Sequence, residues 1–394
     1  MCAPTGNPCT ATSELTDLRP DLPLPAQADW LDLAEASIGL SEPNPRVACR
    51  IQTRSGQVVT GHTLHAGGPH AEASALAKAR QAGLDLKGAH VWVSLEPCAH
   101  HGRTPPCCDA LIQAQVGSVT VALVDPNPLV AGQGIERMRK AGIRVQVLPP
   151  DSEAARSVRE LNIGFLSRME RGIPWVRMKM AASLDGITAL PNGQSQWITS
   201  EAARADGHAW RKRAGAVLTG IGTVLEDDPM LDVRLVDTPR QPTLVVVDSR
   251  LETPLHARLF QAVQSGQKRA IWIYHAVSNP AKEDALSALG AEPIHRPGAG
   301  NKVDLQALLQ DLGNREINEL HVEAGHKLNG SLLREGLVDE VLLYLAPVIL
   351  GQGAHLANIG PFERVSQGLS LQFHAQERVG DDWRILARRR KDKN

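Results

Sequence analysis

Residues 67–83, GGPHAEASALAKARQAG, and residues 94–114, SLEPCAHHGRTPPCCDALIQA, decide the reading of this chain. The first stretch reads as a helix over 70–83 that Gly83 ends, with His70 and Glu72 in its first turn. Upstream of the second, Ala89–Leu95 (AHVWVSL) alternates as a strand and delivers Glu96-Pro97-Cys98 at its end. Pro105 and Pro106 then precede a second helix that starts near Cys107. Strand ends and helix N-termini thereby gather one imidazole, two thiols and a carboxylate. The positive end of a helix dipole favours thiolate over thiol, and thiolate is the form that binds metal.

A catalytic zinc site needs three protein ligands and one open position for water. Bound zinc lowers the pKa of that water towards neutrality, and a nearby carboxylate then moves protons. His70, Cys98 and Cys107 are the expected ligands, for one zinc per chain, and Glu72 is the expected proton carrier. An H-x-E followed by P-C and a later Cys is the pattern of zinc deaminases acting on amino-bearing pyrimidine and purine rings. The spacing departs from C-x-x-C, because eight residues separate Cys98 from Cys107. Two blander readings stand beside this one. A closed structural zinc needs a fourth ligand, for which His100, His101 and Cys108 are nearest. A Cys98–Cys107 disulfide is the other, but the six cysteines (Cys2, Cys9, Cys49, Cys98, Cys107, Cys108) do not spread as a disulfide framework, and none follows Cys108. Such usage fits a reducing compartment.

A length of 394 residues favours two domains, each able to bury a core. Strand expectations at Val47–Thr53, Val58–His62, Ala89–Leu95, Ser118–Val124 and Arg144–Leu148 alternate with helices at Ala28–Ser37, His70–Gly83, Cys107–Ala114, Val130–Ala141 and Ser152–Arg168. That alternation predicts an α/β layer whose largely parallel sheet opens with an antiparallel pair. The stretch 169–174, MERGIP, reads as a linker, so the expected division is a loose extension over 1–26, a first domain over 27–170 and a second over 171–394. The second half repeats the alternation with strands at Trp175–Ala182, Ala216–Thr219, Thr243–Val247, Ala270–Tyr274, Glu319–Val322 and Glu340–Leu345, and helices at Ser200–Ala214, Asp304–Leu312 and Lys327–Glu335. No period repeats between the halves.

A net charge of -1 gives no basic face for nucleic acid, and the run 388–391 reads as a solvated tail. The first 25 residues have neither a basic start nor an apolar core, and no apolar run is long enough to span a membrane. A cytoplasmic enzyme with a small-molecule substrate is the default.

The second half carries turns suited to an anionic cofactor. Gly220-Ile221-Gly222-Thr223 follows a short apolar strand, although it lacks the third glycine of a Rossmann fingerprint. Glu323-Ala324-Gly325-His326-Lys327-Leu328-Asn329-Gly330-Ser331 reads as a strand end, a Gly-rich turn and a helix start, offering free N–H groups to a pyrophosphate. Lys179 lies in an apolar strand, where an exposed-face position is the favoured reading over a phosphate or carbonyl contact. Arg211 and Arg234 are candidates for a bidentate grip on phosphate. Asp227 reads as a cap, Trp197 as core or a stacking face, and Thr199 or Ser200 as the next helix cap.

Taken together, these stretches resemble the bifunctional riboflavin-biosynthesis deaminase/reductase family. The carriers are PNPRVAC (43–49), GGPHAEASAL (67–76), SLEPCAHHGRTPPCCDALI (94–112), VDPNPLVAGQGI (124–135), MKMAASLDGITA (178–189), SQWITS (195–200), VLEDDPMLDVR (224–234), VVDSRLETP (246–254) and VEAGHKLNGSLL (322–333). They span roughly residues 27–390, and the HHGRTPP insert accounts for the long Cys–Cys spacing. The resemblance implies a cytidine-deaminase-like three-layer domain followed by a dihydrofolate-reductase-like domain, Zn2+ and NADPH as cofactors, a phosphorylated pyrimidine substrate and a homodimer through the reductase domain. It implies cofactor contacts at Ala181, Trp197, Thr223, Asp227, Ser249 and Gly325 through Ser331, namely Gly325, His326, Lys327, Leu328, Asn329, Gly330 and Ser331. It implies substrate contacts at Lys179, Ser195, Arg211, Leu231, Arg234 and Glu323. Ala48, Ala181 and His326 depart from residues common in the family. A deaminase of another nucleoside or nucleobase with a degenerate second domain is the alternative.

Overall fold

The computed structural model describes residues 32–100, 105–127, 131–264, 266 and 268–390. The expected extension over 1–26, the centre of the HHGRTPP insert and residues 391–394 lie outside the described residues.

The first domain is built on a five-stranded sheet in the order β2-β1-β3-β4-β5. Its strands are β1 (Ala48–Gln52), β2 (Val58–His62), β3 (His90–Leu95), β4 (Ser118–Leu123) and β5 (Arg144–Val147). β1 pairs antiparallel with both β2 and β3, whereas β3, β4 and β5 run parallel. Five consecutive buried residues in both β3 and β4 show that the sheet is covered on both faces. The helices are α1 (Ala71–Gln81), α2 (Cys107–Gln113), α3 (Gln133–Lys140), α4 (Glu153–Leu161) and α5 (Ile163–Arg171).

The helix expected over Ser152–Arg168 is therefore two helices, broken at Asn162 (φ -104°, ψ 18°). The cause is a competing set of partners. The Asn162 amide donates to the carbonyls of Arg46 and Val158 at 3.0 and 3.2 Å, and its Oδ1 accepts the Arg46 N–H at 2.7 Å. The Leu161 carbonyl is taken by the guanidiniums of Arg46 and Arg213. Side chains from elsewhere satisfy the groups that a continuous helix would use.

The second domain has a nine-stranded sheet in the order β11-β10-β9-β8-β12-β6-β13-β16-β15. β6 (Trp175–Ser183), β8 (Ala216–Gly220), β9 (Thr243–Val247), β10 (Ile271–His275), β11 (Ala291–His295), β12 (Glu319–Val322) and β13 (Glu340–Ala346) are parallel. The hairpin β15 (Leu371–Val379) and β16 (Asp382–Arg389) adds an antiparallel edge. β7 (Ile187–Ala189) pairs with β14 (Ala354–His355). The helices are α6 (Glu201–Arg213), α7 (Ile221–Asp227), α8 (Pro280–Ala288), α9 (Leu305–Asn314) and α10 (His326–Arg334). Apolar clusters sit on opposite sides of this sheet: Met178, Val245 and Leu320 belong to one, and Val217, Leu244 and Val246 to the other.

The two domains share a buried ionic cluster. Glu319, at the start of β12, accepts from Arg46 of the first domain at 2.6 Å and from Arg177 and Arg213 of the second at 2.7 and 2.9 Å. Burial pushes the Glu319 carboxyl upward, but Arg213, Arg46 and Arg177 outweigh it and hold the group far below the ordinary carboxylate range. No helix among the described residues is long and apolar enough to cross a membrane.

Candidate active sites of the two domains

β3 ends at Leu95 and the chain turns through Glu96-Pro97-Cys98, while α2 begins at Cys107 after Pro106. His70 sits at the N-cap of α1. These elements bring the His70, Cys98 and Cys107 donor atoms within 4.8 Å of one another. His70 Nδ1 is 3.6 Å from Cys98 Sγ and 3.5 Å from Cys107 Sγ. One imidazole and two sulfurs at this separation suit zinc, which takes nitrogen and sulfur ligands tetrahedrally and leaves a fourth position open. The Cys107 amide donates to Cys98 Sγ at 3.3 Å. Contact with Cys107, followed by the His70 interaction, draws the Cys98 thiol down to about 4 despite burial, so Cys98 is ready as thiolate.

Among the described residues neither blander reading of the cysteines finds a partner, and His101 lies outside the described residues. Cys98, Cys107 and Cys108 are all free thiols. Cys108 is fully buried and its thiol faces Asp109, so it is no fourth ligand, and His100 does not join the cluster either.

Glu72 lies in the first turn of α1 and is 3 % exposed. Burial first, then the Cys98 charge, pushes its carboxyl up to about 7, where it can both take and give a proton near neutrality. The cluster opens into a cleft of about 340 Å³. His70, Glu72 and Cys98 form its floor, and Asn44, Asn127 and Arg168 lie on its walls. Glu316 of the second domain also lines it. The lining residues Asn44, Asn127, Asp125, Arg168 and Glu316 were not singled out by sequence spacing. The repeated Pro-Asn-Pro at 43–45 and 126–128 was the available signal. Glu96, adjacent to Pro97-Cys98, is structural: its carboxylate accepts N–H groups from Gly132, Gly134 and Ile135 and thereby caps α3.

In the second domain Thr223, Ser249, Glu323 and Gly325 follow the C-terminal ends of the parallel strands β8, β9 and β12. Lys179 of β6 is half-buried rather than on an exposed face, with Nζ 5.8 Å from the Tyr344 ring centroid. Burial pushes its ammonium below the usual range, while Glu323 acts in the opposite sense. Glu323 follows β12 and holds the Arg211 guanidinium through two hydrogen bonds. Arg211 also donates to the Asp232 carbonyl at 2.8 Å, so it is oriented already and is not a free phosphate clamp. Arg234 pairs with Asp232 at 2.5 Å and keeps an exposed side chain. His208, one turn before Arg211, was missed by sequence: its Nδ1 accepts the Arg234 N–H at 3.1 Å. Burial, with the charges of Arg211 and Arg234, pushes that imidazole down to about 4 and keeps it a neutral acceptor. Leu231, in the left-handed region at φ 51°, is buried beside this group.

The Gly325–Ser331 stretch is less of a turn than expected. Gly325 is the N-cap of α10, no side chain caps it, and His326 through Ser331 belong to the helix. Gly330 serves packing, since a Cβ there would lie 2.1 Å from the Asn358 carbonyl oxygen. Lys327 is exposed, Leu328 packs against the domain core, and the Asn329 amide donates to the Leu356 carbonyl. The nearest neighbour to a Cβ at Gly325 would be Thr223 Oγ1 at 3.9 Å, so α7 and α10 present their N-terminal ends side by side. Uncapped N–H groups on a surface without a Cβ fit the phosphates of NADPH. Ala181 and Ser195 are half-buried, and Ser249 Oγ accepts the Val303 N–H. Trp197 is 65 % exposed with the Arg204 guanidinium over its ring, which rules out the core reading. Ser200 caps α6 by accepting the Ala203 N–H. Asp227 is not a cap but the last residue of α7.

The folds and sites define a two-domain enzyme, a zinc-dependent deaminase joined to an NADPH-dependent reductase. Residues 28–123 match the cytidine and deoxycytidylate deaminase zinc-binding region, and residues 174–385 match the RibD C-terminal domain. The chain is 41% identical over 362 residues to riboflavin biosynthesis protein RibD of Escherichia coli, covering 89% of this chain and 95% of that protein. It is 38% identical over 360 residues to the Aquifex aeolicus RibD, covering 91% and 96%. Among solved structures, Acinetobacter baumannii RibD superposes with a TM-score of 0.81 at 37% identity, covering 93% of this chain and 98% of that one. The Thermotoga maritima deaminase/reductase gives 0.80 at 29% identity, covering 92% and 97%. The chain belongs to the RibD family, the bifunctional deaminase/reductases of riboflavin biosynthesis.

Proposed function

We propose that the first cleft deaminates a diaminohydroxyphosphoribosylaminopyrimidine and that the second site reduces the resulting 5-amino-6-(5-phosphoribosylamino)uracil, the pair of activities that describes the Thermotoga maritima relative. The observation that carries this reading is the three-ligand cluster of His70, Cys98 and Cys107 beside a non-ligating, buried Glu72. Zinc, when bound there, supplies water activation at neutral pH. Glu72 takes one proton of the attacking water and gives it to the ring nitrogen, and then carries the proton of the newly added hydroxyl to the departing amine as the carbonyl forms. The cleft walls orient the ring and keep bulk water from competing.

In the second site NADPH supplies the hydride that opens the ribose to a ribityl chain. Thr223, Asp227, Ser249 and the Gly325–Ser331 stretch are proposed to hold the dinucleotide, with Ala181 and Trp197 beside it. Lys179, Ser195, Arg211, Leu231, Arg234 and Glu323 are proposed to hold the substrate, its phosphate facing Arg234. The exposed Arg234 side chain supports this, while Arg211, held by Glu323 and the Asp232 carbonyl, gives the site a fixed wall. Preference for NADPH rests on the family. A cytoplasmic location without nucleic-acid or membrane partners, and a homodimer through the reductase domain, complete the proposal. The exposed edge strand β15, with Phe373 65 % exposed, supports the dimer.

Assaying the deaminase substrate with NADPH, while following ammonia and NADPH separately, tests both activities. Stripping zinc with a chelator is expected to stop ammonia release while leaving NADPH consumption with the deaminated intermediate intact. Loss of both would refute independent sites. Lys179→Met is expected to lower reductase kcat/KM about 10²-fold or more by removing a charge held at the substrate position. Unchanged reductase turnover in that variant removes Lys179 from the site.

A further inference from the structure

Two consecutive residues of the reductase domain grip the loop that walls the deaminase cleft. Asn318, 3 % exposed at the N-terminal end of β12, donates through Nδ2 to the Pro43 carbonyl and to Glu42 Oε2, both at 2.9 Å. Its Oδ1 accepts from Arg168 Nε at 2.7 Å. Arg168 also donates to the Pro43 carbonyl at 3.3 Å. Glu319 holds the other end of the same loop through Arg46. Between these anchors stand Pro43, Asn44 and Pro45, all on the cleft wall, and Arg168 is on it too.

Approach of this strand end is built into the first domain. A Cβ at Gly164 of α5 would lie 2.3 Å from Glu319 Cγ and 2.7 Å from the Asn318 carbonyl oxygen, so only glycine lets β12 dock there. The turn entering β12 places Glu316 on the cleft wall with φ 63°, the left-handed region. Its carboxylate acts on Arg168, as does that of Glu42.

We propose that Asn318 is a positioning residue for the deaminase, holding the Pro43–Asn44–Pro45 loop and Arg168 in register across the cleft from a different domain. It touches neither the metal ligands nor Glu72. The proposal rests on the assignment of this cleft as the deaminase site. Reductase function is insulated from it, because Asn318 and Glu323 lie at opposite ends of β12, about 16 Å apart at about 3.3 Å per residue.

The test is Asn318→Ala in the full-length, zinc-loaded chain. Deaminase KM is expected to rise about tenfold or more with kcat within about threefold, since orientation of bound substrate is lost and the proton carrier is intact. Zinc content and the reductase constants measured with the deaminated intermediate should match wild type. Arg168→Lys removes the Nε donor from the opposite side and keeps the charge. That single variant should also raise deaminase KM, an arm that stands if Asn318→Ala does not fold, and where both fold the double variant should show a non-additive effect on KM. A deaminase KM unchanged in either single variant overturns the proposal, as does a parallel loss of both activities. Should the wild-type chain release no ammonia, it is the reading of the cleft that fails.

Discussion

Glu72→Gln is expected to lower ammonia release by about 10²–10⁴-fold while zinc stays at its wild-type content and the reductase is untouched. The amide keeps the shape of the side chain and its place in the first turn of α1, so His70, Cys98 and Cys107 remain together. What it removes is the capacity to accept a proton. Glu72 is well placed for that task because burial and the neighbouring Cys98 charge push its carboxyl up to about 7. Metal analysis beside the ammonia assay separates proton transfer from metal binding. Full deaminase activity in the variant would remove Glu72 from proton transfer, and loss of zinc would make it part of the metal site.

The second large effect is on stability. Glu319→Gln is expected to destabilise the chain by about 3–5 kcal/mol, the usual cost of removing one partner from a buried ion pair. Glu319 is 1 % exposed and accepts from three arginines. Its removal takes from Arg213 the carboxylate it pairs with, while Arg177 retains Glu340 and Arg46 keeps only its longer contact with Glu42 at 3.7 Å. The sign with pH follows from the direction of its shift. A carboxyl held far below its ordinary value contributes stability above the unfolded pKa of about 4.3, and that contribution is lost as pH falls through the folded value. The gap between wild type and Glu319→Gln in urea midpoint should therefore be full at neutral pH and narrow in acid. A gap that is absent at pH 7, or that widens in acid, contradicts the assignment.

The zinc site was legible because its chemistry is carried by residue types rare enough to stand out, placed at element ends by Pro and Gly. His70, Glu72, Cys98 and Cys107 were readable from spacing, and the structure brings the three ligand atoms together. The central parallel strands of both sheets were legible from their apolar runs. Less was visible where partners come from far along the chain. Periodicity predicts one helix over Ser152–Arg168, because nothing local announces that Arg46 and Arg213 will claim the Leu161 carbonyl. The hairpin β15–β16 escaped notice because β15 is exposed along most of its length and so lacks alternation. Lys179 illustrates the same limit: the strand pattern favoured an exposed face, and nothing local announced that Tyr344 and Glu323 would lie against it. Gly330 looked like phosphate chemistry and proved to be contact with Asn358.

The grip of Asn318 and Glu319 on the Pro43–Arg46 loop has a consequence for chimeras. The stretch 169–174, expected as a linker, is the end of α5 with its Gly172 cap and the approach to β6; it looks like the natural cut for exchanging halves between relatives, yet the contacts that matter cross it. A recipient deaminase half carries Glu42, Arg46, Gly164 and Arg168, and each needs a donor strand that presents Asn318 and Glu319 in matching register. The transferable unit is therefore discontinuous. Grafts that move residues 42–46, 160–168 and 316–319 together should yield working deaminases, whereas exchanges made at residues 169–174 alone should yield reductases with an impaired neighbour.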